Sequence, residues 1–283
     1  MLRRLLLAAI AAACIAPTLG IVPAAAVNDP DGDPNASQLA LQLRTDDQDV
    51  TATAQLSQQI AAESPKSFVL QLDRALREAD AQQSFLGSIR AEQTDIYLLA
   101  GDPATEHAVE AQLPPSLAAQ VQDTAGALRA LWRLGGVDDI RGIRPHFVRD
   151  PNASLPIPEL LSLYSSAAGQ YGMDWTYLAA INYIETDFGR VLGPSVTGAE
   201  GPMQFEPDTW TEYGAGSVMS PHDAIQAAAL YLNTFGAPGD MASAIYAYNP
   251  TWDYVEAVAR LAAVVRRDRT WYTRLYYWST KAK

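Results

Sequence analysis

Two stretches of this chain hold the residue types from which an acid catalyst could be assembled. The first is Ala179-Ala180-Ile181-Asn182-Tyr183-Ile184-Glu185-Thr186-Asp187-Phe188-Gly189. Leu178, Ile181 and Glu185 stand at i, i+3 and i+7, which puts the carboxylate on the helix face whose apolar residues are meant for the core. A carboxyl that is partly desolvated holds its proton toward neutral pH, as a general acid must. Taken alone, Glu185 equally fits a surface residue closing the last turn before Gly189. The second stretch, Gly198-Ala199-Glu200-Gly201-Pro202-Met203-Gln204-Phe205, is a Gly- and Pro-containing connector. It is followed by Pro207-Asp208-Thr209-Trp210 and, later, by Ala247-Tyr248-Asn249. Gln204, between Met203 and Phe205, is hard to explain as core, whereas Tyr248 and Asn249 could simply end a helix.

Other chemistries fail on simple grounds. His107, His146 and His222 are isolated, with no second ligand at metal spacing, so no metal is expected. Ser195 lacks the strand-to-helix Gly-x-Ser-x-Gly setting of a hydrolase nucleophile. There is no phosphate-binding Gly loop, and no cofactor is expected.

The elements that must position these residues read as helices. Pro158 to Tyr171 carries Leu160, Leu161, Tyr164 and Ala168 and stops at Gly172. Asp174 caps the helix that bears Glu185, and Pro207 to Tyr213 is a short helix ended by Gly214. Ser220-Pro221-His222-Asp223 opens an Ala-rich helix running to Gly236. Asp240 caps a helix through Tyr246, and Thr251 caps one through Val255, Val258, Leu261 and Val265. No segment alternates with period two for long, so this half is expected to be nearly all α. Upstream, Ser64-Pro65 starts a helix with Phe68, Leu70, Leu72, Leu76 and Ala79, Arg90 to Ala100 is ambiguous, and Leu113-Pro114-Pro115-Ser116 opens another helix ended by Gly135-Gly136.

Glu185-Thr186, the Gly201-Pro202-Met203-Gln204-Phe205 block with Pro207, Thr209 and Trp210, and Ala247-Tyr248-Asn249 stand in the order and spacing of a known pattern. The chain from about Ile157 to Val265 thereby resembles the lysozyme-like lytic transglycosylases, which cut the glycan strands of bacterial cell walls. The resemblance implies a lysozyme-like helical catalytic domain preceded by a helical or irregular N-terminal region. It implies that Glu185 serves as acid and then base, while the 6-hydroxyl of the sugar closes a 1,6-anhydro ring between N-acetylmuramic acid and N-acetylglucosamine. Ser195, Gln204, Tyr248 and Asn249 fall where that family holds the sugar or the glutamate, with Tyr248 aimed at the carboxylate. Two residues depart from the pattern. Glu206 stands where the family mostly has an apolar residue, and Pro250 replaces a frequent His.

Glu206 opens an alternative, a two-carboxylate muramidase that uses water, although its place before Pro207 favours a helix cap. Asp187, at i+2 from Glu185, faces away. Trp210 and Trp252 fit sugar-stacking platforms, though Trp in a helical domain more often serves the core. A third reading is a wall-binding module that retains the fold without turnover, yet such a binder has no need of the acid.

At 283 residues the chain has room for one sizeable domain and a smaller one. Arg3-Arg4, the Leu- and Ala-rich run to Ile15 and Ala24-Ala25-Ala26 read as a signal peptide over 1–26, so the product is expected to be secreted and associated with the cell wall. Cys14 lies inside this leader, where Ala residues replace the Leu of a lipid-attachment motif. Residues 27–150 read as a helical region with a disordered start, a turn-rich run at Asn28 to Asn35 and a Pro-rich linker from Arg141 to Pro158. The catalytic domain is expected over 151–265 and a solvated basic tail over 266–283. Removing Arg3 and Arg4 from the 20 basic residues leaves 18 against 32 acidic ones, a net charge of −14. Between Pro151 and Ala259 the only basic residue is Arg190. The partner expected is peptidoglycan glycan, not nucleic acid, and no run is long enough for a membrane span.

Overall fold

The structure, a computed structural model, describes residues 36–135, 148–150 and 152–278. The expected leader at 1–26, the turn-rich run from Asn28 to Asn35 and residues 141–147 and 151 of the expected linker lie outside the described residues. Described residues are mainly helical, with 74% helix in 11 helices and almost no strand. Among them, no helix is long and apolar enough to cross a membrane. They divide into two compact units at Gly126.

The first unit contains α1 (Ala36–Ala62), α2 (Phe68–Gly101), α3 (Pro103–Glu110) and the start of α4 (Pro115–Gly135). Leu39, Leu43 and Val50 of α1 are buried on one helical face, as are Ala81, Ile89, Ile96 and Leu99 of α2. Three sequence expectations change here. Helix α1 occupies much of what reads as an irregular start. Helix α2 begins after Ser67, whose Oγ accepts the Leu70 N–H at 3.3 Å, and runs unbroken through the ambiguous 90–100 segment. Leu70, Leu72 and Leu76 are exposed; Leu72 and Leu76, four residues apart, share the face of α2 opposite the buried Ala81. Asp46 sits in the apolar stripe of α1 and shares a hydrogen bond with Asp95 of α2. Burial and the Asp46 charge push the Asp95 carboxyl up to about 7, so this pair shares a proton at neutral pH.

The second unit holds the residues singled out for chemistry. It comprises the end of α4, β1 (Val148–Arg149), α5 (Ile157–Gln170), α6 (Trp175–Thr186), β2 (Val191–Leu192), α7 (Pro207–Tyr213), α8 (Pro221–Thr234), α9 (Met241–Tyr248), α10 (Trp252–Arg267) and α11 (Thr270–Trp278). The two short strands pair antiparallel, Val148 with Leu192 and Arg149 with Val191. The caps expected from sequence are made: Asp174, Ser220, Asp240 and Thr251 accept backbone N–H groups of their own first turns. Helix α6 is the axis, packed by α5, α8 and α10. Every residue from Leu178 to Phe188 is buried, so Glu185 lies on a helix enclosed all round rather than on one core-facing stripe.

This unit extends beyond 151–265 at both ends. Arg133 of α4 donates to Asp253 and Glu256 of α10 at 2.7 Å each. At the other end, the expected solvated tail instead forms α11, with Trp271, Tyr272, Leu275, Tyr276 and Trp278 buried. Arg269, just before it, and Arg274 within it lie on aromatic faces. The guanidinium of Arg269 is 5.4 Å from the Trp175 ring centre, and that of Arg274 is 4.9 Å from Trp271. A count of charges cannot reveal this, because a Trp/Tyr-rich segment can bury its arginine stems against rings.

Candidate active site

Helix α6 ends in a left-handed turn directly after Glu185. Asp187 and Phe188 have φ of 53° and 59°, followed by Gly189 at 86°. Two non-glycine residues in this region are strained and need support from their surroundings. The Asp187 N–H bonds the Tyr183 carbonyl, the Phe188 N–H bonds that of Asn182, and the buried Asp187 carboxylate accepts from Arg190 at 3.3 Å. Arg190 in turn lies 4.1 Å from the centre of the Tyr276 ring of α11. Asp187 therefore anchors the turn, consistent with its facing away from Glu185.

Thr186 and Asn182 fix the connector. Both donate to the Pro202 carbonyl, Thr186 Oγ1 at 2.6 Å and Asn182 Nδ2 at 2.7 Å, while the Tyr164 hydroxyl of α5 donates to Asn182 Oδ1. The connector itself is a closed turn. Glu200 and Phe205 exchange both backbone hydrogen bonds at 2.9 Å, and the Gly201 carbonyl accepts from the Gln204 backbone at 3.1 Å and from Gln204 Nε2 at 3.0 Å. Gln204, with φ of 50°, thus uses its amide nitrogen to hold the turn. Ser195 acts similarly upstream. Its Oγ accepts from the backbone of Thr197 at 3.2 Å and Ala199 at 2.9 Å, which shapes the approach to Gly201.

Glu185 is 4% exposed. Burial pushes its carboxyl up to about 7, against the hydrogen bond it accepts on Oε1 from the Tyr254 hydroxyl at 2.6 Å. The hydroxyl that reaches the carboxylate is thus that of Tyr254 on α10. Tyr248, expected in that role, donates instead to the Met203 carbonyl at 2.6 Å and clips the tip of the turn. Tyr248 still lies within the field of Glu185: burial first, then the Glu185 charge, raises its phenol far above the usual range. Asn249 is buried in the bend between α9 and α10, its carbonyl accepting the Thr251 N–H at 2.7 Å. It sets the start of the helix that carries Tyr254. The sequence does hold a signal for Tyr254. Tyr254, Val258 and Leu261 fall on one face of α10, and a buried tyrosine hydroxyl needs a partner.

Tyr248 and Gln204 also line a cleft of about 440 Å³, together with Glu206, Tyr231, Tyr246 and Pro250. Its floor is an aromatic cluster in which Phe205, Tyr231 and Tyr248 meet edge to face at 5.5 to 6.4 Å. Glu206 stands at the N-cap of α7, yet its side chain makes no capping bond, and it lines this cleft instead. The expected cap is not made: a glutamate is one methylene longer than the side chains that fold back onto N2 and N3. Trp210 packs on Phe205 at 5.6 Å and against Gly214, a structural placement. Trp252 is exposed and is not core. Among the described residues, no group of three or more His, Cys, Asp or Glu could hold a metal.

Replacing Tyr254 by Phe removes a hydrogen bond that favours the charged form of Glu185. The Glu185 pKa is then expected to rise above about 7, because burial alone remains. A hydrogen bond to a charged group contributes roughly 1.5–3 kcal/mol, so loss of positioning should lower turnover by about tenfold or more. The check is a pH–rate profile whose alkaline limb moves upward as its plateau falls. An unmoved limb would make Tyr254 a packing residue.

Comparison of the chain with protein-family models, with curated proteins and with solved structures finds no match in any of the three.

Proposed function

We propose that this protein is a secreted lytic transglycosylase with a lysozyme-like catalytic domain, acting on the glycan strands of peptidoglycan. The observation that carries the proposal is the Glu185 carboxyl: buried, pushed up to about 7, held by Tyr254, and close enough for its charge to act on Tyr248, which lines a cleft together with Gln204. Cleaving a glycosidic bond needs a proton for the leaving oxygen and stabilisation of an oxocarbenium-like transition state. Glu185 delivers that proton to the oxygen between N-acetylmuramic acid and N-acetylglucosamine. The resulting carboxylate, kept from solvent and still hydrogen-bonded to Tyr254, is then the base that takes the proton of the muramic acid 6-hydroxyl as that oxygen attacks C1. No water is consumed, and the product ends in a 1,6-anhydro ring.

Ser195, Gln204, Tyr248 and Asn249 serve this reaction as builders of the cleft. Their hydrogen bonds hold the connector and the α9–α10 bend, which leaves Gln204, Phe205 and the Tyr248 ring as the wall against which sugar lies. The burial of Glu185 also argues against a wall-binding module without turnover, since a buried acid is costly to keep where nothing uses it.

A second reading is favoured by one observation: Glu206 lines the same cleft and spends nothing on capping. As a second carboxylate it would direct a water, giving a muramidase. Mass spectrometry of fragments released from purified wall separates the two. Wild type is expected to release 1,6-anhydro ends, and Glu206→Met to release the same ends with unchanged thermal stability, because no cap is lost. Reducing muramic acid ends from wild type, turning to anhydro ends in Glu206→Met, would establish the two-carboxylate enzyme.

A further inference from the structure

Trp252, the first residue of α10, is 66% exposed, more than any other large apolar side chain among the described residues. Its ring lies 5.0 Å from that of Tyr246, tilted by 36°. Tyr246, itself 37% exposed, lines the cleft. Phe235, also exposed, lines it too. The remaining exposed large apolar residues of this unit, Val196 and Met219, are not aromatic and do not line that cleft. Exposed aromatics are thus concentrated at one place, and a tryptophan left in water at the rim of a cleft is surface kept for a ligand.

The charge of the surroundings selects the ligand. Between Pro151 and Ala259 the only basic residue is Arg190, and it is buried on Asp187 and Tyr276. Arg133, which reaches the residue next to Trp252 from α4, is paired with both Asp253 and Glu256, while Glu206 at the cleft repels a phosphate-bearing polymer. An uncharged ring with an apolar C–H face and hydroxyls at its edge fits both features. It can lie on the indole and turn its edge toward the carboxylate and amide of the cleft. Resting on the glycan reading above, we propose that Trp252 and Tyr246 form a stacking platform for a neutral pyranose ring, a distal subsite beyond the rings placed at Glu185.

The probe is a series of N-acetylglucosamine oligomers, from disaccharide to hexasaccharide, titrated into the full chain carrying Glu185→Gln and followed by calorimetry and tryptophan fluorescence. Affinity is expected to rise with length as the chain reaches Trp252. Adding Trp252→Ala should weaken hexasaccharide binding about tenfold, or 1.4 kcal/mol, leave the disaccharide unchanged and remove the fluorescence response. Trp252→Phe should keep most of the gain. Because the side chain is exposed, both variants are expected to melt as the parent does. Equal hexasaccharide affinity with and without Trp252 would overturn the platform and leave the role of Glu185 standing. Absence of binding by any oligomer to the parent would overturn both. Concentration-dependent dimerisation lost in Trp252→Ala would assign the surface to a second copy of the chain and likewise overturn the proposal.

Discussion

Glu185→Gln is expected to lower release of glycan fragments by roughly 100-fold or more, the scale of losing a general acid, and to make the protein more stable at pH 8. The two effects share one cause. Burial raises the carboxyl from its ordinary 4.5 to about 7, so the folded unit holds this proton more tightly than the unfolded chain does. Stability from that proton is complete below about pH 4.5 and is lost as pH rises to about 7. Above that range the folded unit carries a desolvated charge that costs roughly 3 kcal/mol, since each tenfold gain in proton affinity on folding is worth about 1.36 kcal/mol. Glutamine keeps an oxygen to accept from Tyr254 and never ionises. Thermal melting should therefore show Glu185→Gln more stable than wild type at pH 8 and equal to it at pH 4.5. A variant that is less stable at both values would mean that Glu185 is a structural residue.

Gly201→Ala is expected to remove roughly 3 kcal/mol of stability and to abolish activity through the connector. At φ of 75°, a Cβ on residue 201 would lie 1.9 Å from the Val218 carbonyl oxygen and 2.8 Å from its carbon. Both are backbone atoms, so no rotamer change relieves the clash; overpacking of this kind costs about 1–3 kcal/mol and the left-handed conformation adds about 1. Any shift of the turn also carries Pro202 away from Asn182 and Thr186, and Met203 away from Tyr248. Gly198→Ala is the control. Its φ is 90°, but nothing lies within 4 Å of the added carbon, so only conformational strain of about 1 kcal/mol should appear. Chemical denaturation of the pair checks the difference; equal losses would show that the Val218 contact does not restrict the turn.

Much of the second unit is legible in the sequence because its boundaries rest on local chemistry. Asp174, Ser220, Asp240 and Thr251 announce helix starts by their own side chains, and the structure uses each of them. Asn182, Thr186 and Pro202 illustrate what sequence cannot give. Their hydrogen bonds join residues up to 20 apart around one carbonyl, and no spacing rule encodes that. Tyr254 escapes notice for the same reason. It is 69 positions from the carboxylate it serves, and Tyr248, nearer to a familiar pattern, stands in its place in the sequence reading. Helix α1 is hidden because the Pro- and Asp-rich run before it dominates the composition of 27–49. The tail misleads because net charge says nothing of whether an arginine lies against a ring.

The central claim is that Glu185 is the protonated acid of a glycan-cleaving site, and a pH–rate profile tests it most directly. Release of soluble fragments from purified wall should be measured for wild type between about pH 5 and 9, a range that brackets the loss of a general acid's proton. The expected profile falls as pH rises through about 7, where the Glu185 proton is lost, with Glu185→Gln near background throughout. A rate that climbs through pH 7, release by Glu185→Gln at more than half the wild-type rate, or no release by wild type at any pH would contradict the assignment.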